Sequence, residues 1–160
     1  MANKVTNVVV AGLGGQGVLK ASDIFSEVVF ACGYDVKKSE LHGMSQRGGS
    51  VSSEVRFGES VWSPMVPKGE ADFLVVLAED QVETNRPVLR EGGILITPVS
   101  IDLEKLPNKR SVNVALLGVL STHFDMAEQA WIEAICHNLP GKLHEVNKEA
   151  FALGREAAGR

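Results

Sequence analysis

Few folds can accommodate the run Val8-Val9-Val10-Ala11-Gly12-Leu13-Gly14-Gly15-Gln16-Gly17-Val18. A β-branched stretch that ends in glycines and passes straight into an apolar pattern of helical period reads as strand, tight turn and helix. Gly12, Gly14 and Gly17 fit the spacing G-x-G-x-x-G, with Gly15 between them. Lacking Cβ atoms, such a loop lets the backbone leave the strand sharply. It also leaves bare N–H groups at the positive end of the following helix, where an anion can sit. Gly12, Gly14, Gly15, Gln16 and Gly17 therefore form a candidate ligand or phosphate loop. Tight packing of strand against helix selects the same glycines, so the pattern alone leaves both uses open.

The second informative stretch is Ser39-Glu40-Leu41-His42-Gly43-Met44-Ser45-Gln46-Arg47-Gly48-Gly49. It sets a carboxylate, an imidazole, an amide and a guanidinium among three glycines, a density that a mere connector rarely needs. The planar fork of Arg47 suits a phosphate or carboxylate, and His42 can hydrogen-bond or carry a proton near neutral pH. Glu40, His42, Ser45, Gln46, Arg47, Gly48 and Gly49 are therefore candidates for an active-region or partner loop. The plainer alternative is a surface turn in which Arg47 pairs with Glu40.

These two motifs, in this order, resemble the gamma subunit or domain of 2-oxoacid:ferredoxin oxidoreductases. The resemblance is nearest to the small beta subunit of the indolepyruvate branch and runs from Val8 to the last helix near Gly154. It implies an α/β, Rossmann-like fold: a mostly parallel sheet, helices on both faces and an antiparallel edge hairpin, with residues 1–160 as a single domain of this type. It also implies oxidative decarboxylation of a 2-oxoacid, arylpyruvates in this branch, to an acyl-CoA and CO2, with ferredoxin as electron acceptor. Thiamine diphosphate and 4Fe-4S clusters would reside on a larger catalytic alpha subunit. Coenzyme A would be a candidate ligand, and a dimer of heterodimers the expected assembly.

The residues agree with an accessory role. Cys32 and Cys136 are the only cysteines, whereas an iron–sulfur cluster takes four thiolates. A thiamine-type Gly-Asp-Gly followed by an Asn pair is absent. No catalytic residue, metal ligand or cofactor is therefore expected on this chain alone. Nicotinamide binding would want an acidic residue after the second strand, where Asp35 comes too early and Glu40 too late. That disfavours a self-sufficient dehydrogenase and leaves a stand-alone nucleotide- or coenzyme A-binding regulatory module as the alternative. A net charge of −4 without a basic run argues against nucleic acid. No apolar run approaches a membrane span, and Met1-Ala2-Asn3-Lys4 leads into the first strand without a signal-like region, so a cytoplasmic location is expected.

Along the chain, Val5–Ala11 is predicted as a buried parallel strand. The helix after it shows Val18, Ala21, Phe25, Val28 and Cys32 on one face and ends at Gly33. Tyr34–Lys38 gives a second strand. Val51, Ser53, Val55 and Phe57 alternate with polar residues, as on a half-exposed antiparallel edge strand that turns at Gly58-Glu59 into Val61-Trp62, with Trp62 anchoring that hairpin. Ala71–Leu77 and Gly93–Thr97 are buried strands joined through a helical stretch broken at Pro87, a βαβ unit. Residues 98–110 have no clear assignment, and this stretch is short for a subunit of the type. Asn113–Phe124 is a helix buried on several sides. Asp125 is placed as N-cap of the next helix, with Ala127, Ala130, Trp131, Ala134 and Ile135 as its stripe. A last helix presents Asn147, Ala150, Phe151 and Gly154 on one face.

Overall fold

The computed structural model describes residues 4–42 and 49–159, with His42 described through its backbone. Five strands form one sheet in the order β2-β3-β1-β4-β5. They are β1 (Val5–Leu13), β2 (Asp35–His42), β3 (Ser50–Gly58), β4 (Ala71–Val76) and β5 (Leu89–Ile96). β1 runs parallel to β4, from Val8 opposite Phe73 to Ala11 opposite Val76, and β4 runs parallel to β5. On its other side β1 is antiparallel to β3, from Val5 opposite Gly58 to Leu13 opposite Ser50. β2 closes that edge, antiparallel to β3. A parallel half thus meets an antiparallel edge hairpin, and β1 is the seam.

The valine run of β1 is continuous because both its faces are covered. Val8 and Val10 enter the larger core, together with Phe73 and Val75 of β4. Val9 and Ala11 enter a smaller core on the opposite face with Leu74, Val76, Val66 and Val82. The larger core lies under four helices: α1 (Val18–Ala31), α3 (Val112–Ser121), α4 (Glu128–Asn138) and α5 (His144–Ala158). The smaller one is covered by the short α2 (Val82–Asn85), its flanking 3-10 turns and the loop through Val66. Pro87 falls in the 3-10 turn Arg86–Val88, where its missing N–H ends the helix as predicted.

α3 is buried at every residue from Asn113 to Ser121, and the four buried residues of α5 are Asn147, Ala150, Phe151 and Gly154. The two helices touch backbone to backbone. A Cβ on Gly154 would lie 1.8 Å from the Ala115 carbonyl oxygen, and one on Gly118 2.2 Å from that of Phe151. Phe25 of α1 joins the layers, its ring centroid 5.6 Å from those of Phe57 and Trp131 and 5.7 Å from that of Phe124.

The structure corrects several local expectations. β1 is parallel on one side only. β3 lies inside the sheet, because β2 extends to His42 and pairs along its length. Glu54, which alternation would expose, is buried, its carboxylate accepting the Val66 N–H. Glu40 and His42 accordingly belong to a strand rather than to a loop. The antiparallel edge hairpin is β2–β3; after Gly58 the chain forms a loop, in which Trp62 is 91% exposed instead of anchoring a second hairpin. Cys32 follows the last turn of α1 and is exposed, while Ser22, Ile24 and Val29 widen the buried stripe. Gly33 does take the left-handed conformation, at φ 95°. α4 starts at Glu128 after Ala127, two residues beyond Asp125.

Candidate functional site

The glycine loop leaves the C-terminal end of β1, the edge where open α/β sheets hold ligands. Gln16 organises it from within. Its Oε1 accepts the Leu13 N–H at 2.7 Å, and its own N–H donates to the Leu13 carbonyl at 3.2 Å. Gly12 has no room for a side chain, since a Cβ would lie 2.8 Å from that Oε1. Gly17 is held at φ 83°, and a Cβ there would lie 2.4 Å from Asn113 Nδ2. That nitrogen donates to the Gly17 carbonyl at 3.2 Å, so Asn113 fastens the start of α3 to the start of α1. Packing thus accounts for Gly12, and packing together with a left-handed angle for Gly17.

Gly15 is different. It also needs positive φ, 88°, yet nothing lies within 4 Å of where its Cβ would be. The start of α1 beside it receives no side-chain cap and has no acidic residue in its first turn. A cavity of about 310 Å³ opens here, lined by Leu13, Gly14, Gly15, Gly17, Val18, Leu19, Lys20 and Val51. On the other side of Gly15 a second cavity, of about 190 Å³, is lined by Gln16, Leu77, Lys109, Arg110 and Val112. Lys20, Lys109 and Arg110 are exposed, and none forms an ion pair with a carboxylate among the described residues. Neither cavity is lined by a carboxylate among the described residues.

The second stretch comes to the same edge. The Gly14 N–H donates to the Gly49 carbonyl at 2.9 Å, which ties the two loops together. Next to it the Ser50 hydroxyl donates to Gln81 Oε1 at 2.7 Å. Glu40 sits further back on β2, where Lys38 Nζ donates to it at 3.1 Å and also pairs with Asp23 of α1. Burial works to lower the Lys38 pKa, but the hydrogen bonds to Asp23 and Glu40 outweigh it and hold the ammonium above its usual 10.5. Glu40 therefore belongs to a structural clamp between β2 and α1. His42 ends β2 opposite Val51. Ser45, Gln46, Arg47 and Gly48 lie outside the described residues. Among the described residues no three His, Cys, Asp or Glu side chains gather as metal ligands would.

Four residues at this edge escaped the sequence analysis as site residues. The sequence pattern marks Asn113 only as a helix start and gives Lys20, Lys109 and Arg110 no assignment. The adjacent cations of Lys109-Arg110, just before an apolar helix, were the available signal.

Comparison with known proteins settles the family. The pyruvate ferredoxin/flavodoxin oxidoreductase family pattern matches residues 7–157. The chain belongs to this family. Subunit IorB of the indolepyruvate oxidoreductase of Thermococcus kodakarensis is 36% identical over 197 aligned positions, covering 97% of this chain and 96% of the relative. Those 197 positions exceed the 160 residues here, so the relative carries internal segments this family member lacks. The gamma subunit of a keto/oxoacid ferredoxin oxidoreductase from Geobacter sulfurreducens has the same fold, with a TM-score of 0.80 at 22% identity and 97% coverage of both chains. The 2-oxoglutarate:ferredoxin oxidoreductase of Magnetococcus marinus, solved with 2-oxoglutarate, coenzyme A and succinyl-CoA bound, matches with a TM-score of 0.84 at 20% identity. There the match covers 99% of this chain and 32% of the other. This family member is thus an accessory-type small subunit of an oxidoreductase complex. No helix among its described residues is long and apolar enough to cross a membrane.

Proposed function

We propose that this chain is the cofactor-free small subunit of a cytoplasmic 2-oxoacid:ferredoxin oxidoreductase whose glycine-loop edge receives the phosphates of coenzyme A. In the reaction the 2-oxoacid loses its carboxyl carbon as CO2. The coenzyme A thiol gives up its proton and takes the acyl group, and the two electrons released pass to ferredoxin. Thiamine diphosphate and 4Fe-4S clusters belong to the larger catalytic subunit, since two cysteines cannot ligate a cluster. Likeness to IorB supports an arylpyruvate, indolepyruvate first, as the substrate. A dimer of heterodimers is the assembly this reading expects.

One observation carries the assignment of the site. At Gly15 an open left-handed turn and an uncapped helix start lie between two cavities bordered by three cations that have no ion pair among the described residues. Backbone N–H groups at the start of α1 favour a diphosphate. Lys109 and Arg110 favour a further phosphate on the other side of Gly15. The stretch from His42 to Gly49, with Ser45, Gln46, Arg47 and Gly48, would meet the larger subunit or the substrate bound there.

Calorimetric titration of coenzyme A into the assembled complex tests the site. Replacing Lys109 and Arg110 together by Ala should weaken binding about a hundredfold or more while the melting temperature of the chain stays put, each of the two charge-assisted contacts being worth about 1.5–3 kcal/mol. Unchanged affinity would remove coenzyme A from this edge. A chain that purifies alone and binds nucleotides without any larger subunit would favour the regulatory-module alternative.

A further inference from the structure

The two halves of the glycine-loop edge come from distant parts of the chain, and one side chain joins them. Lys109 and Arg110 belong to the 3-10 turn Lys109–Ser111, which runs straight into α3 at Val112. Asn113, one residue further on, is buried and donates from Nδ2 to the carbonyl of Gly17, 96 positions earlier. Among the described residues this is the single hydrogen bond between residues 108–114 and residues 13–18. The Gly17 carbonyl does not need it, since it already accepts the Ala21 N–H at 3.0 Å as the first turn of α1 requires. Nor is the amide free to turn over. Asn113 Oδ1 accepts the Val114 N–H at 2.9 Å, so half a turn would set oxygen against the Gly17 carbonyl and the amide nitrogen against an N–H. A buried amide with one allowed orientation, bonded to an acceptor already satisfied, fixes the relative position of two segments.

We infer that Asn113 is the positioning residue that sets the spacing between the cations Lys109 and Arg110 and the N–H groups at the start of α1. With that spacing it sets the preference of this edge for a nucleotide that carries phosphates on both the 3′ and 5′ carbons of one ribose. The inference rests on the coenzyme A reading above, coenzyme A being such a nucleotide. Its diphosphate leaves the 5′ carbon and its third phosphate the 3′ carbon of the same sugar, so the ring holds the two groups at a nearly fixed separation. A site with one binding element for each gains from both only if its elements are held at the matching separation beforehand. A shift of one element by an ångström would take a charge-assisted hydrogen bond out of its range of about 2.7–2.9 Å. Gly15 borders both cavities, and Gln16 and Val112, the neighbours of Gly17 and Asn113, line the second. Asn113 itself lines neither cavity. It therefore acts through the two segments it joins and not on the ligand.

The test is a ratio of affinities, measured by titration calorimetry on the chain assembled with its larger subunit. Coenzyme A is compared with 3′-dephospho-coenzyme A, which lacks only the third phosphate. Wild type should prefer coenzyme A about a hundredfold, from two charge-assisted contacts to that phosphate. In Asn113→Leu, which keeps the branched shape and removes both hydrogen bonds, the preference should fall about tenfold or more, while affinity for the dephospho form stays within about threefold. Asn113→Ala removes the same bonds without adding volume and is measured beside it, with melting curves for both. If Asn113 merely supports its surroundings, the variants lose affinity for both ligands together and the ratio stays where it was, which overturns the inference. A preference undiminished in both variants, with each affinity intact, overturns it as well and leaves the coenzyme A reading standing. A wild type that binds the two ligands equally overturns the role given to Lys109 and Arg110, and this inference with it.

Discussion

Glycine does opposite work at two places in this molecule. Where α3 crosses α5, Gly118 and Gly154 have ordinary backbone angles and no space: the missing Cβ lets two helix backbones touch. In the loop after β1, Gly15 has all the space it could want and an angle that L side chains avoid. Gly17 combines the two, with φ 83° and the amide of Asn113 in the way. The crossing is therefore a packing device, and Gly15 is a conformational one facing open space. A glycine pattern in sequence cannot separate these uses; the neighbours of each absent Cβ can.

Substitution by alanine turns that contrast into numbers. Gly154→Ala should be the most damaging. The obstacle is the Ala115 carbonyl of a buried helix, which can yield only if α3 and α5 separate, so a loss of about 3 kcal/mol, the upper end of overpacking costs, is expected in urea unfolding. A loss below about 1 kcal/mol would mean that the crossing is loosely held.

In the loop, Gly17→Ala should cost about 2 kcal/mol, since the left-handed angle alone costs about 1–2 and the Asn113 contact adds to it. Adding Asn113→Ala should recover only the part due to the contact. Gly15→Ala should show the angle's cost alone, about 1 kcal/mol, and no coupling to Asn113. If Gly15 and Gly17 behaved alike in this cycle, the distinction between packing and conformation within the loop would fall.

The smallest effect concerns the hairpin edge. The Val61 N–H, and then Lys37, hold the Asp35 carboxyl below its usual 3.8. A depressed carboxyl contributes stability that is present above the unfolded value and lost as pH falls through the folded one. In Asp35→Asn that contribution is gone at neutral pH, so the variant should melt slightly below wild type there, and the difference should close as pH falls below about 4. A variant that loses stability equally at all pH values would show that the side chain acts through shape rather than charge.

Much of this was legible before the structure. The continuous valines of β1, the uniform apolarity of α3 and the four-residue stripe of α5 report burial directly, because burial on two faces, on all sides or on one face imposes different periods. The hairpin was misplaced for a physical reason. Ser39–His42 carry the polar, flexible chemistry of a loop, but their backbones find partners in Ser52–Val51 and Glu54–Ser53, and the ladder overrides composition. Glu54 broke the alternation because its carboxylate is needed inside, to hold Val66. At the candidate site the glycines were visible as a pattern. Lys20, Lys109, Arg110 and Asn113 were not, because the residues that border one edge come from segments about ninety positions apart.

The position of β1 at the seam of the sheet has a consequence for how the protein is made. It leaves the ribosome before either neighbour: about 37 residues separate its end from the start of β3, and β4 comes later still. At ~5–20 residues per second, a valine-rich strand spends seconds with both edges unpaired. During that interval it is a ready template for any other strand. The nascent chain should be most vulnerable to aggregation, and most in need of a chaperone, between the emergence of its first strand and that of its third.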